Sequence, residues 1–165
     1  MESGVEVLEC DVQLSSDGVA VVMHDPTVDR TTNGQGAVRE LQWAQIHTLT
    51  AGYPGRFGDV FAGQVVPRLD ELFDLAKGRA AVFVEIKPEA LADLSGSVEA
   101  SVIDAALRTG MMDDVGILSF ASRASQCFHE TAPGFPLGLV FRWWHQRRLV
   151  EETLQAGANY LVGYA

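Results

Sequence analysis

The sequence predicts an α/β fold built on a parallel sheet, and three observations support that prediction. Short Val/Ile/Leu-rich runs alternate with amphipathic stretches of helical length. The runs are nearly continuous in apolar residues, as expected of strands covered on both faces. Ionisable residues collect at the C-terminal ends of three of them, where an α/β barrel or an open α/β sheet carries its site.

The first run, "VEVLECDV" (5 to 12), and the second, "VAVVMH" (19 to 24), are separated by a segment containing "SSDG". "RTTNGQG" (30 to 36) then reads as a turn. It could cradle an anion, with Arg30 its candidate residue, but it is not placed between strand and helix as a phosphate loop must be. "TAGYPGRFGDVFAGQVV" (50 to 66) carries Gly52, Gly55, Gly58 and Gly63 without a period, and predicts a long loop over one end of the sheet. "RLDELFDLAK" (68 to 77) predicts the first long helix. The strand "AVFVEIK" (81 to 87), a helix over 95 to 110, the strand "VGILSF" (115 to 120) and a helix over 122 to 131 follow. The series ends with "PLGLVF" (136 to 141), a helix over 145 to 157 and "NYLVGY" (159 to 164). Gly110 and Gly157 close two of the helices. His47, His129 and His145 fall in or at the start of predicted helices and read as surface or packing residues. Trp43 reads as core, while Trp143 and Trp144, just after a strand, stand where they could line a site mouth.

Composition narrows the classes. With 165 residues, 47% of them hydrophobic, the chain can bury the core of one compact domain. A formal net charge of -10 repels nucleic acid and anionic lipid, and no Lys/Arg run opposes it. A phosphorylated small molecule can still bind where a divalent cation reverses the local sign. Cys10 and Cys127 are too few and too far apart for a disulfide framework and read as small buried hydrophobes in a reducing cytoplasm. No stretch approaches the ~18 apolar residues of a membrane span, and "MESGVEVLEC" lacks the signal-peptide pattern, so the expected location is cytoplasmic.

Side chains alternate along a strand, so Val5, Val7, Glu9 and Asp11 share one face. Ala20, Val22 and His24 share another, as do Phe83, Glu85 and Lys87. If Asp17-Gly18 is a two-residue hairpin turn, Ser16 pairs with Val19 and Asp11 stands opposite His24. If the strands are parallel instead, residues 12 to 18 run back extended for roughly 20 Å. Either topology brings the histidine to the carboxylates. Glu9, Asp11 and Glu85 offer hard oxygen ligands for Mg²⁺ or Ca²⁺, and no Cys/His cluster suggests structural zinc. His24 beside them reads as a general acid or base. Lys87 could hold a phosphate oxygen or form a salt bridge to Glu85 or another acid.

"LECDVQLSSDGVAVVMHDPTVDRTTNGQG", "VPRLDELF", "VEIK" and "SF" together resemble the glycerophosphodiester phosphodiesterases, in order and in spacing. The resemblance implies a TIM barrel that hydrolyses glycerophosphodiesters to an alcohol and glycerol 3-phosphate with Ca²⁺ or Mg²⁺. It implies metal ligation by Glu9, Asp11 and Glu85, a catalytic role for His24 as one of two histidines, and a basic residue near the phosphate at Lys87. The family's opening strand with its His-Arg pair, the helix after it, and its closing helix and strand have no counterpart in residues 1 to 165. A TIM barrel usually takes about 250 residues and eight strands, against six runs here. The expectation is one incomplete barrel domain, with oligomerisation or further segments completing it. The alternatives are a non-catalytic barrel that binds metal or phosphate, and a related lipid phosphodiesterase.

Overall fold

A computed structural model describes residues 4–91, 97–142, 149–155 and 157–164. Strand β1 (Val7–Leu14) turns back into the short β2 (Ala20–Val22). A segment with two single-turn helices, α1 (Trp43–Ile46) and α2 (Pro54–Phe57), leads to α3 (Leu69–Ala76). Then come β3 (Ala81–Ile86), α4 (Val98–Thr109), β4 (Val115–Ser119), α5 (Ser122–Thr131), β5 (Leu137–Arg142), α6 (Leu149–Gln155) and β6 (Tyr160–Tyr164). The sheet order is β2-β1-β3-β4-β5-β6. β1 and β3 to β6 pair in parallel, and β2 alone is antiparallel. Of the six predicted strands, five therefore follow the strand-helix-strand pattern of a barrel, and β2 is a hairpin arm.

The helix-facing side of the sheet holds the main core. Cys10, Val12 and Leu14 of β1 and Val82, Val84 and Ile86 of β3 pack there with Leu69 and Phe73 of α3 and Val98 and Val102 of α4. α4 starts at Ser97, whose hydroxyl accepts the Ala100 N–H at 3.1 Å, and stops at Gly110 with φ 69. A second cluster of Val21, Met23, Val28, Val38, Ile46 and Val66 lies under residues 25–66. The predicted long loop of residues 50 to 66 is tied to this cluster at its two ends, by Ala51 and Val66, and Trp43 is half-buried against the same cluster. The expected cover on both strand faces is incomplete, because Val5 and Val7 are 40% and 46% exposed. Trp143, Trp144 and His145 lie outside the described residues.

The hairpin register differs by one residue from the two-residue-turn expectation. Val12 pairs with Val22 and Leu14 with Ala20, and the Met23 N–H donates to the Asp11 carbonyl at 3.0 Å, so Asp11 faces Met23 and not His24. The cause is the loop. Ser15 N–H donates to the Val19 carbonyl, leaving Ser16, Asp17 and Gly18 as a three-residue connection with Gly18 at φ 79. Asp17 is committed to it, accepting from the Ser15 hydroxyl at 2.7 Å and from Trp43 N–H at 2.9 Å.

Candidate active site

The cleft beside the middle of β1 and the C-terminal end of β2 is lined by Glu9, Asp11, Met23, His24, Thr31 and Ala51, among others. Parallel pairing sets Asp11 beside Glu85 and Glu9 beside Phe83. Carboxylate oxygens of Glu9, Asp11 and Glu85 consequently lie within 4.8 Å of one another. Three hard oxygen donors at that spacing fit a Mg²⁺ or Ca²⁺ ion, with no thiolate or imidazole among them to favour a softer metal. Although Glu9 reaches solvent, partial burial and then the neighbouring Asp11 and Glu85 carboxylates raise its pKa above the ordinary value. Crowded like charge of this kind is relieved by a cation.

Lys87 supplies one such charge. Its Nζ lies 2.6 Å from Asp11 Oδ1 and 2.5 Å from Glu85 Oε1. Burial opposes the ammonium form, but the hydrogen bonds to Asp11 and Glu85 outweigh it and raise the Lys87 pKa. The contact matches the pairing reading of this lysine, extended to Asp11, and places the ammonium on carboxylates that would also hold a cation.

His24 reaches the cleft by a different route from the one strand phase predicts. Ala20 and Val22 face the main core while Val21 and Met23 face the second cluster. β2 ends at Val22 and the chain bends through His24 and Asp25, which carries the imidazole to the cleft. Gln13, buried on β1, donates from Nε2 to the His24 carbonyl at 3.3 Å. The His24 Nδ1 lies 2.8 Å from Asp25 Oδ1. Arg30 does not project freely from its turn: Nε and a terminal nitrogen donate to the two Asp25 oxygens at 2.5 and 2.8 Å. These bonds, the Arg30 pair foremost, hold the Asp25 carboxyl well below the usual range. Asp25 and Gln13 are the site residues that sequence pattern missed. The signal for Asp25 was its place directly after the histidine and five residues before an arginine.

Cys10 also lines the cleft, but burial foremost, then Glu9 and Asp11, pushes its thiol up to about 12, so it stays neutral and serves packing. Neither cysteine is in a disulfide. His47 and His129 are exposed, the His47 ring tilted 45° against that of Trp43 at a centroid distance of 4.8 Å.

A model of the glycerophosphoryl diester phosphodiesterase family matches residues 1–162. The chain belongs to that family. The glycerophosphodiester phosphodiesterase of Caldanaerobacter subterraneus subsp. tengcongensis is 36% identical over 156 residues, covering 92% of this chain and 63% of that relative. The Bacillus subtilis glycerophosphodiester phosphodiesterase is 29% identical, over 96% of this chain and 57% of its own length. Among solved structures, the Agrobacterium tumefaciens glycerophosphodiester phosphodiesterase superposes with a TM-score of 0.72 at 31% identity, covering 97% of this chain and 74% of that one. An Oleispira antarctica phosphodiesterase in complex with the product sn-glycerol-3-phosphate superposes at 0.78 and 24% identity, covering 98% of this chain and 64% of that one. The five parallel strands and their helices are thus part of the family's TIM barrel. The chain spans about six-tenths of the length of these two curated relatives. Among the described residues no helix is long and apolar enough to cross a membrane.

Proposed function

We propose that the chain carries the metal-binding half of a site that hydrolyses glycerophosphodiesters to an alcohol and glycerol 3-phosphate. The observation that supports this most is the convergence of the Glu9, Asp11 and Glu85 oxygens within 4.8 Å of one another, on a cleft that His24 also lines. A divalent cation, Ca²⁺ or Mg²⁺, held by those three residues would neutralise the phosphodiester and acidify a coordinated oxygen. His24 handles a proton at Nε2. Asp25, by accepting from Nδ1–H, holds the tautomer in which Nε2 is free to take a proton from the nucleophile or return one to the leaving alkoxide. Lys87 can leave one carboxylate to donate to a phosphoryl oxygen, since a lysine head on a four-carbon stem carries several such partners. Arg30 acts on the site by fixing Asp25.

Residues 1 to 165 are read as one domain of this kind, with the remaining strands of the barrel contributed from outside this stretch. The ladder supports that reading, because β2 pairs only with Val12, Gln13 and Leu14. Among the described residues, this leaves the first part of β1 without a neighbour on that side. A second reading, metal or phosphate binding without turnover, draws on the same open edge.

The test is a titration of Ca²⁺ and Mg²⁺ followed by thermal unfolding and by choline release from glycerophosphocholine. The metal is expected to raise Tm by binding the native state, and Glu9→Gln or Glu85→Gln to abolish the increase. Equal increases in all three proteins would overturn the ligand assignment. Metal binding with no choline release would favour the second reading.

A further inference from the structure

Lys87 follows β3 immediately, and its ammonium reaches across to the neighbouring strand. Its Nζ lies 2.6 Å from Asp11 Oδ1 and 2.5 Å from Glu85 Oε1, and those two acids are partners in the parallel register. One ammonium is therefore clasped between two of the three carboxylates that gather within 4.8 Å of one another. The contact is sheltered, since the Lys87, Asp11 and Glu85 side chains are 12, 21 and 13% exposed. That separates it from an exposed ion pair, which water screens and which contributes little.

The backbone beneath this lysine is held, while its head sits on a flexible stem. The buried Ser119 hydroxyl on β4 donates to the Ile86 carbonyl at 2.9 Å, and the Ala90 N–H donates to the Lys87 carbonyl at 2.9 Å. The stem thus starts from a fixed point, and its four methylenes let the ammonium change partners without disturbing β3.

A divalent cation on the cluster needs the same groups. It would lie about 2.0 to 2.6 Å from its carboxylate oxygens, and the ammonium is already that close to oxygens of Asp11 and Glu85. Two positive centres in contact with one pair of carboxylates repel strongly in a sheltered site. Glu9 decides between them. Among the described residues it forms no ion pair with Lys87, so a divalent ion gains a third donor that the ammonium does not use.

We infer that Lys87 is the exchangeable cation of this cluster: it clasps Asp11 and Glu85, yields them to a divalent ion, and so sets the affinity of the site for metal. This rests on the metal-binding reading of the cluster and adds how that binding is regulated. The displaced ammonium is a donor without an acid. A phosphoryl anion therefore binds better once the metal is in place, and by reciprocity the metal binds better beside the anion.

The experiment is calorimetric titration of Mg²⁺ into the wild type, Lys87→Met and Lys87→Gln, each with and without glycerol 3-phosphate. Lys87→Met keeps the length of the stem and removes the charge, and is expected to bind Mg²⁺ about tenfold tighter than the wild type in buffer alone. Lys87→Gln, neutral but able to donate to a carboxylate, is expected to do the same and serves where Lys87→Met does not fold. Glycerol 3-phosphate is expected to tighten Mg²⁺ binding more in the wild type than in either variant. Thermal unfolding reports the exchange separately: without Mg²⁺ the neutral variants should melt below the wild type, and Mg²⁺ should raise their Tm by more. Equal Mg²⁺ affinity in all three proteins would show that the ammonium and the ion sit side by side. Weaker binding by the neutral variants would show that Lys87 orients the ligands for the ion. Either result overturns the exchange and leaves the carboxylates standing as a metal site, whereas Mg²⁺ binding to none of the proteins would overturn both.

Discussion

Arg30 acts on the cleft through Asp25. The turn "RTTNGQG" suggested an anion site, and the anion it meets is a carboxylate of this chain, held through both oxygens. A carboxyl whose folded pKa is depressed contributes stability above its unfolded value of about 3.9, lost as the pH falls through the folded pKa. Asp25 is depressed, so Arg30→Met is expected to lower Tm at pH 6 to 7, with the gap from wild type closing as the pH falls below about 4. A gap of constant size down to pH 2 would show that packing, not the ion pair, is what the variant removes. The four residues of the carboxylate-lysine cluster were legible in the sequence because they sit on strands, where period two fixes which side chains share a face. Asp25 was not, because a bend has no period. His24 was selected for the right cleft by a partly wrong route, its strand ending two residues earlier.

At the scale of elements, the strand runs were legible to within about two residues, because burial of a near-continuous apolar run leaves little choice. Loop geometry was less so: "SSDG" supports two-residue and three-residue turns alike, and the longer one is held by the bonds of Ser15 to Asp17 and Val19 and by that of Asp17 to Trp43, 26 positions away. Gly18 at φ 79 carries that turn, so Gly18→Ala is expected to cost about 1 kcal/mol in urea unfolding and to loosen the β1–β2 register. Gly116 of β4 raises a different constraint. A Cβ there would fall 2.2 Å from the Phe83 ring, on the β3 neighbour in register with it. Gly116→Ala is expected to cost about 1 to 3 kcal/mol by overpacking, and the added change Phe83→Leu to recover part of it. Full additivity of the two losses would mean that the ring does not meet the new methyl group.

For the whole molecule, the question is how far the described sheet can act alone. It brings the metal-ligand candidates and one histidine to a single cleft, while the edges stay open: among the described residues β1 has no strand neighbour alongside Val7 to Cys10 except β3, and Tyr160 and Leu161 on β6 are 52% and 42% exposed. Open edges offer unpaired backbone groups and favour association, so light scattering must first show a monodisperse sample. A single general acid-base residue contributes about 10²- to 10⁴-fold, and a phosphodiester needs one proton removed from the nucleophile and one given to the leaving group. With His24 supplying one of these, residues 1 to 165 are expected to bind metal yet turn over glycerophosphocholine slowly. Fusing on the flanking segments of the Caldanaerobacter relative, which is longer than the region matched here, is expected to raise kcat by about two orders of magnitude or more. His24→Gln should then reduce the fusion to near the level of the unfused wild type, since each keeps one of the two proton-handling groups. If instead the unfused, monodisperse protein matched the fusion, His24 together with the bound cation would have to carry both proton transfers. The open β1 edge would then be a feature of the working enzyme.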